Sequence, residues 1–253
     1  MKQMKFFLVA LMAVVMGMSV TSCMNGEDNH NVTMTVPVKY NFGSFLMGDA
    51  TTKLVPTTEL GFLDGNMYII QCQYDQSQVT ANSNSISVTL LSTPLCIDPK
   101  SNEMLTSTKT APTNPLYSLD KQQSSLVYYD KSTIVLTIPY WVKVENSKIE
   151  DSELKKHSFV LSYDPETMAA SDTKLKLYIS HVVDDAEGET VTRSNFTYAY
   201  RAYSIRAALE AFKQKTGKLP KYLELKAQTN SSKDELKAEN GETSVEYDYA
   251  FTE

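Results

Sequence analysis

Downstream of residue 31, apolar and polar side chains alternate with a period of two over most of the chain. Val32, Met34, Val36, Val38 and Tyr40 hold the even positions of one run, and segments 68–74 (YIIQCQY) and 86–90 (ISVTL) repeat the pattern. Successive strand residues point to opposite faces, so these runs predict half-buried strands of a mostly antiparallel sheet. Gly61, Asp64-Gly65-Asn66 and the polar run 82–85 separate them as turns. Between Asp98 and Ser118 the alternation lapses. Pro99, Pro112 and Pro115 lie there among serines and threonines, which predicts a connecting segment between two β modules.

Alternation returns from Thr133 to Val144, with Ile134, Leu136, Ile138, Tyr140, Val142 and Val144 on one side. Pro139 cannot donate a ladder hydrogen bond, so it predicts an edge position or a bulge. After a charged connection over residues 145–156, further strands are expected in HSFVLSYD, KLKLYISHV, NFTYAYRAY, YLELKA and TSVEYDYAF. Their number and turn spacing are those of a β-sandwich. One short helix interrupts them. Ser204 is placed to cap it, and Ile205, Ala208, Leu209 and Phe212 follow at helical spacing. Lys213 and Lys215 suit its last turn, Gly217 its left-handed C′ position, and Pro220 stops it.

The N-terminus follows a different pattern. Lys2 and Lys5 precede an apolar run from Phe6 to Val20. As a helix this run would rise about 22 Å, short of the ~30 Å hydrocarbon core of a bilayer. A positive start, a short apolar run and small residues at its end describe a secretory signal peptide. Val20-Thr21-Ser22-Cys23 resembles the bacterial lipobox, which implies acylation of Cys23 after removal of residues 1–22. Several acyl chains on one residue would hold the protein stably at a membrane surface. Residues 23–31 then form a polar, lipidated tether, and Glu27-Asp28 is similar to the acidic export signal of surface lipoproteins in the Bacteroides group. The expected address is the outer membrane of a Gram-negative bacterium, on its cell-surface or periplasmic face.

The whole chain has 24 basic and 30 acidic residues. Residues 1–22 hold two lysines and no acid, so the processed chain keeps 22 basic residues against 30 acidic, a net charge of −8. Such a surface repels phosphate backbones and argues against a nucleic-acid partner. Apart from Cys23, the cysteines are Cys72 and Cys96. In an oxidising envelope they would either pair across neighbouring strands or stay separate as buried thiols.

The order of these segments resembles the NigD-like lipoproteins. The resemblance is carried by Gly65-Asn66-Met67-Tyr68, by Leu136 to Tyr140, and above all by KKHSFVLSYD followed by LKLYISHVVDDAEGE. It implies an all-β chain: an OB-like N-terminal module over residues 32–115 and an antiparallel C-terminal β-sandwich over 116–253. The helix from Ser204 to Thr216 is longer than that family pattern. The family carries no catalytic residues to transfer.

Candidate chemistry is sparse. The histidines are His30, His157 and His181, and no two have metal-ligand spacing. The sequence has no nucleophile–base–orienter set, so no enzymatic activity, metal or cofactor is expected. The acidic turn Asp184 to Glu189 reads as a solvated hairpin tip rather than a calcium loop, because EF-hand spacing is absent. The chain's arginines are Arg193, Arg201 and Arg206, all close to NFTYAYRAY. Arg193, Arg201, Tyr203 and Arg206 therefore make the first-choice ligand patch, where guanidinium and tyrosine would hold a sugar or a carboxylate. The plainer reading puts Phe196, Tyr198 and Tyr200 in the core and pairs the arginines with acids. The expected role is a non-catalytic binding or accessory module for an envelope protein, peptide or glycan. A fimbrillin-like pilus subunit is the alternative, and a lipid-anchored glycan hydrolase stands behind it.

Overall fold

A computed structural model describes residues 30–48, 52–58, 61–80, 83–97, 104–105, 114–187, 190–232 and 241–251. The signal segment, Cys23 and most of the tether lie outside them. The chain is all-β in character and divides into two compact units, residues 1–99 with 127–135 and residues 100–126 with 136–253.

The first unit is built on β1 (Asn31–Asn41), β2 (Ser44–Leu46), β3 (Lys53–Pro56), β4 (Met67–Asp75), β5 (Ser85–Leu90) and β6 (Leu95–Ile97). β1 is long enough to pair with β4 along Asn31–Lys39 and with β2 along Lys39–Asn41. That double use closes a ring in the order β1-β2-β3-β5-β4-β1, in which β3 and β5 run parallel. This is a five-stranded barrel of the OB type. The alternation read from β1 is the one observed: Met34, Val36, Val38 and Tyr40 point inward with Phe45, Leu54, Tyr68, Ile70, Ile86 and Val88. The two-residue loop between β1 and β2 needs positive φ at both positions. Phe42 (41°) and Gly43 (78°) supply it, and the Phe42 N–H donates to the Asp64 carboxylate at 2.7 Å.

The second unit begins in the expected connecting segment. Part of that segment is a strand, β7 (Met104–Leu105), and residues 114–117 are tied down by backbone hydrogen bonds. Next along the chain come β8 (Leu126–Asp130) and β9 (Thr133–Val142), whose residues 127–135 belong to the first unit, then helix α1 (Asp151–Lys156), β10 (His157–Ser162), β11 (Lys174–Val183), β12 (Asn195–Ser204), helix α2 (Arg206–Thr216), β13 (Tyr222–Gln228) and β14 (Glu242–Asp248). One sheet has the order β14-β13-β11-β10-β7 and the other β12-β9-β8. The pairing is not wholly antiparallel: β11 and β13 run parallel, as do β10 and β7. A parallel pair requires a long crossover, and β12 with α2 lies within the one joining β11 to β13.

Pro139 sits where its missing donor costs little. The Thr137 N–H donates to the carbonyl of Ser125, the residue just before β8, and two residues later Pro139 offers its carbonyl to the Tyr117 N–H at 3.1 Å. β9 is the central strand of its sheet, so the expected edge position is not what is found; beyond Thr137 that side of β9 is taken by Tyr117.

Helix α2 buries Ala208, Leu209 and Phe212 and ends at Gly217, whose φ is 75° and whose N–H reaches the Lys213 carbonyl. Its start differs from expectation. Ser204 is the last residue of β12, Ile205 is the N-cap, and no side chain caps the helix. The charged connection also holds α1, which the sequence pattern did not predict. Asp151 and Glu153 stand in its first turn and Lys155 and Lys156 in its last, as the helix dipole favours.

Candidate functional site

β10 and β11 pair with Phe159 opposite His181, which puts His157 diagonally across from His181 on one face. Glu153 precedes His157 by four residues, one helical turn, and so reaches the same place from α1. The result is a chain of buried polar contacts. His181 Nδ1 is 3.3 Å from the Pro115 carbonyl, His181 Nε2 is 2.9 Å from His157 Nδ1, and His157 Nε2 is 3.2 Å from Glu153 Oε1. Arg193 closes the network. Its Nε donates to Glu153 Oε1 at 2.6 Å, and its two terminal nitrogens donate to Asp185 at 2.8 and 2.7 Å. The Lys143 N–H also donates to Glu153, and Lys156 pairs with Asp185 at 3.2 Å.

These contacts set the protonation states. Burial alone would raise the Glu153 carboxyl, but donors from Arg193, Lys143 and His157 outweigh it and hold the acid below its ordinary value. Arg193 drives Asp185 down to about 2. Burial lowers His157 despite the pull of Glu153, and lowers His181 to about 3 with help from its histidine neighbour. Tyr140 of β9 packs over both imidazoles, at ring distances of 4.8 and 5.7 Å. Every acid and base here already has a partner inside the fold. The nearby cleft, lined by Lys143, Glu145, Glu150, Ser152, Glu153 and Lys156, has a volume of about 90 Å³, well below the ~300 Å³ at which small-molecule pockets begin.

The ligand patch expected from the sequence does not assemble. The Arg193 side chain is 1% exposed and committed to two carboxylates. Tyr203 is buried, with its hydroxyl donating to the Phe159 carbonyl at 2.9 Å. Arg201 turns inward over the Phe159 ring, 5.2 Å from its centroid. Arg206 is exposed, in the first turn of α2. The plainer reading is half corrected as well. Arg193 is paired with acids, but Phe196 and Tyr198 are each 40% exposed, while Ala199, Arg201 and Tyr203 form the inward face of β12.

The outward face of β12 is therefore aromatic. Phe196 stacks on Tyr117 at 4.1 Å with the rings 8° from parallel, Tyr198 meets Phe196 edge-on at 5.8 Å, and Tyr117 meets Trp141 edge-on at 4.9 Å. Trp141 anchors the row from below by donating to the Asn230 carbonyl at 2.7 Å. β12 is an edge strand of its sheet, and the Phe196 and Tyr198 end of the row borders solvent while Trp141 is buried.

Cys72 and Cys96 are free thiols. They lie on paired strands, but Tyr68 is opposite Cys96, and Cys72 is four residues further along β4. That is about 13 Å, against the ~7 Å limit for a disulfide. The acidic turn contributes Asp185 to the buried network, so it is not wholly a solvated tip. Among the described residues no cluster of three metal-ligating side chains occurs, and no helix is long and apolar enough to cross a membrane.

No protein-family model matches the sequence, and no curated protein matches it. Among solved structures the chain is similar to one described as a "Putative lipoprotein" from Bacteroides fragilis NCTC 9343. The two share 27% identity over 86% of this chain and 97% of the other, with a TM-score of 0.66. A protein of unknown function from Bacteroides vulgatus ATCC 8482, described as DUF1344, shares the fold at a TM-score of 0.52 and 6% identity, over 86% of this chain and 90% of the other.

Proposed function

We propose that this protein is an envelope lipoprotein of the NigD-like kind, anchored through acylated Cys23, that works by binding and not by catalysis. The observation that carries the reading is the exposed pair Phe196 and Tyr198 on edge strand β12, with half-buried Tyr117 stacked on Phe196. A soluble domain normally buries such rings, and flat aromatic faces bordered by uncharged polar groups suit the apolar face of a sugar ring. The hydroxyl groups of Tyr117 and Tyr198 themselves provide such polar groups. The similarity over most of both chains to the Bacteroides fragilis protein described as a "Putative lipoprotein" supports the address, as does the lipobox-like ending of the signal segment.

Two measurements test this. Cys23→Ala, with secretion preserved, is expected to move the protein from the membrane pellet to the soluble fraction; retention in the pellet refutes the anchor. On a glycan array, wild type is expected to give hits that Phe196→Ala with Tyr198→Ala abolishes while the fold is kept. Binding that survives both substitutions removes this face from the reading. Capture of a protein with no glycan hit would replace the sugar with a polypeptide partner, and self-association into polymers would favour the pilus alternative.

A further inference from the structure

Two large apolar side chains stand exposed at one end of the barrel. Phe42, in the β1–β2 loop, is 85% exposed and Leu63, in the loop before β4, is 70% exposed; no other large apolar residue among the described residues is more than half exposed. The two loops are tied together. The Phe42 N–H donates to the Asp64 carboxylate at 2.7 Å, the Gly65 N–H to the Tyr40 carbonyl and the Tyr40 N–H to the Asn66 carbonyl, both at 2.9 Å. Phe62 fixes the second loop from inside, packing on Tyr40, Phe45 and Tyr68 at ring distances of 5.5, 5.9 and 4.7 Å, and its neighbour Leu63 is left outside. Nothing in the barrel requires an aromatic ring at position 42. Its φ of 41° suits glycine or asparagine better than a bulky side chain. An unfavourable backbone that presents a ring to solvent and packs it on nothing is the kind of outlier that gathers at functional surfaces. Residues 41–44 and 63–66 hold one charged side chain, Asp64, and it is already engaged by the Phe42 N–H.

We propose that this end of the barrel is a membrane-inserting wedge, with Phe42 and Leu63 entering the headgroup boundary of the leaflet that holds acylated Cys23. The inference rests on the anchor proposed above, and chain length makes the contact reachable. Eight peptide steps separate Cys23 from Asn31, the first residue of β1, so the tether spans at most about 27 Å. β1 runs about 33 Å from Asn31 to Asn41, and barrel strands tilt by about 40°, which makes the barrel about 25 Å tall along its axis. The tether attaches at one end of β1 and the wedge lies at the other, so the anchored barrel reaches its own leaflet with that far end. The chemistry also fits a lipid surface. Lys39 and Lys53, both exposed, flank Leu46 across β1, β2 and β3 on the outer side of the barrel. Their stems can lie along the boundary while the ammonium groups stay among headgroups. A net charge of −8 on the processed chain disfavours an anionic surface, so the fitting lipid is zwitterionic. A rigid wedge loses little freedom on insertion, and a bilayer boundary yields to a projecting ring that a protein partner would need a matching pocket to bury.

The test uses the acylated protein on phosphatidylcholine vesicles whose chains are brominated, so that an indole in contact with them is quenched. Wild type supplies the baseline, because Trp141 is 3% exposed and should be unaffected. The added emission of Phe42→Trp, and separately of Leu63→Trp, is expected to shift to the blue and to fall by about half or more on brominated vesicles relative to unbrominated ones. Phe42→Gly keeps the turn, since glycine suits its backbone; combined with Leu63→Trp it is expected to lose much of that quenching while melting no lower than Leu63→Trp alone. Pelleted protein whose new indoles stay unquenched would overturn the wedge and leave the anchor standing. A blue shift without bromine quenching would mean a ring enclosed by protein, a second copy or another partner, and would overturn it too. So would equal quenching of Leu63→Trp with and without Phe42. Wild type that does not pellet with the vesicles would refute the anchor, and the reach that the wedge depends on with it.

Discussion

Replacing Arg193 with methionine keeps much of the side chain's volume and removes the one guanidinium that ties α1 to the Asp184–Glu187 turn. Arg193 is 1% exposed and directs hydrogen bonds into both oxygens of Glu153 and both of Asp185. Without it, Glu153, whose side chain is 7% exposed, keeps only the Lys143 N–H and His157. Asp185 is less stranded, because it is 22% exposed and retains Lys156. Breaking a buried pair by removing one partner costs about 3–5 kcal/mol, mostly the penalty of the charge left behind. With one carboxylate deeply buried and the other partly hydrated, about 3–4 kcal/mol is expected here. That is a large part of the ~5–15 kcal/mol that holds an ordinary domain. Urea unfolding followed by the fluorescence of Trp141, the chain's single tryptophan and a core residue of the second unit, reads the loss. Arg193→Met with Glu153→Leu should recover much of it, since the stranded charge is gone. The acid limb should change too. Asp185 is held at about 2 against an ordinary 3.8, with Arg193 the largest cause and Lys156 a lesser one, so its contribution is complete above pH 3.8, is lost as pH falls towards 2, and should shrink to the part Lys156 supplies in the single variant. A loss below about 1 kcal/mol, or a double variant no more stable than the single, would refute the reasoning.

Gly48→Ala is expected to destabilise the first unit by about 2 kcal/mol or more, because φ is 43° and a Cβ would stand 1.8 Å from the Tyr129 carbonyl oxygen; a neutral result in thermal unfolding would contradict that close approach. In Cys23→Ala protein, a thiol reagent at mildly alkaline pH is expected to label exposed Cys96 in the native state. Cys72, buried and with its thiol pushed up to about 12, should be labelled only on unfolding. Absence of any free thiol in unreduced protein would count against the strand register described for β4 and β6.

Much of the fold could be read along the chain because the signals are local. The alternation of β1 names its inward residues, since a strand has two faces and one of them must be apolar. The stripe and Gly217 of α2 declare a helix and its end. Even the Glu153–His157 contact had a visible sign, the four-residue spacing inside a charged run, although that run reads as a connection. Other features depend on what meets what. Period two shows that Phe196, Tyr198 and Tyr200 share a face of β12, but not which face turns inward, and shifting the phase by one residue exchanges the two. Phe159 decided it: the inward side accepts Ala199 and a Tyr203 whose hydroxyl finds a carbonyl, while Tyr117, nearly eighty residues earlier in the chain, comes to lie against Phe196. His157 and His181 were unrelated until the β10–β11 register made them diagonal neighbours, and Arg193 became structural only when two acids from separate elements converged on it. Composition and periodicity determine which elements can form. Register and packing decide which side chains lose water, and a buried charge must find its partner wherever the fold brings one.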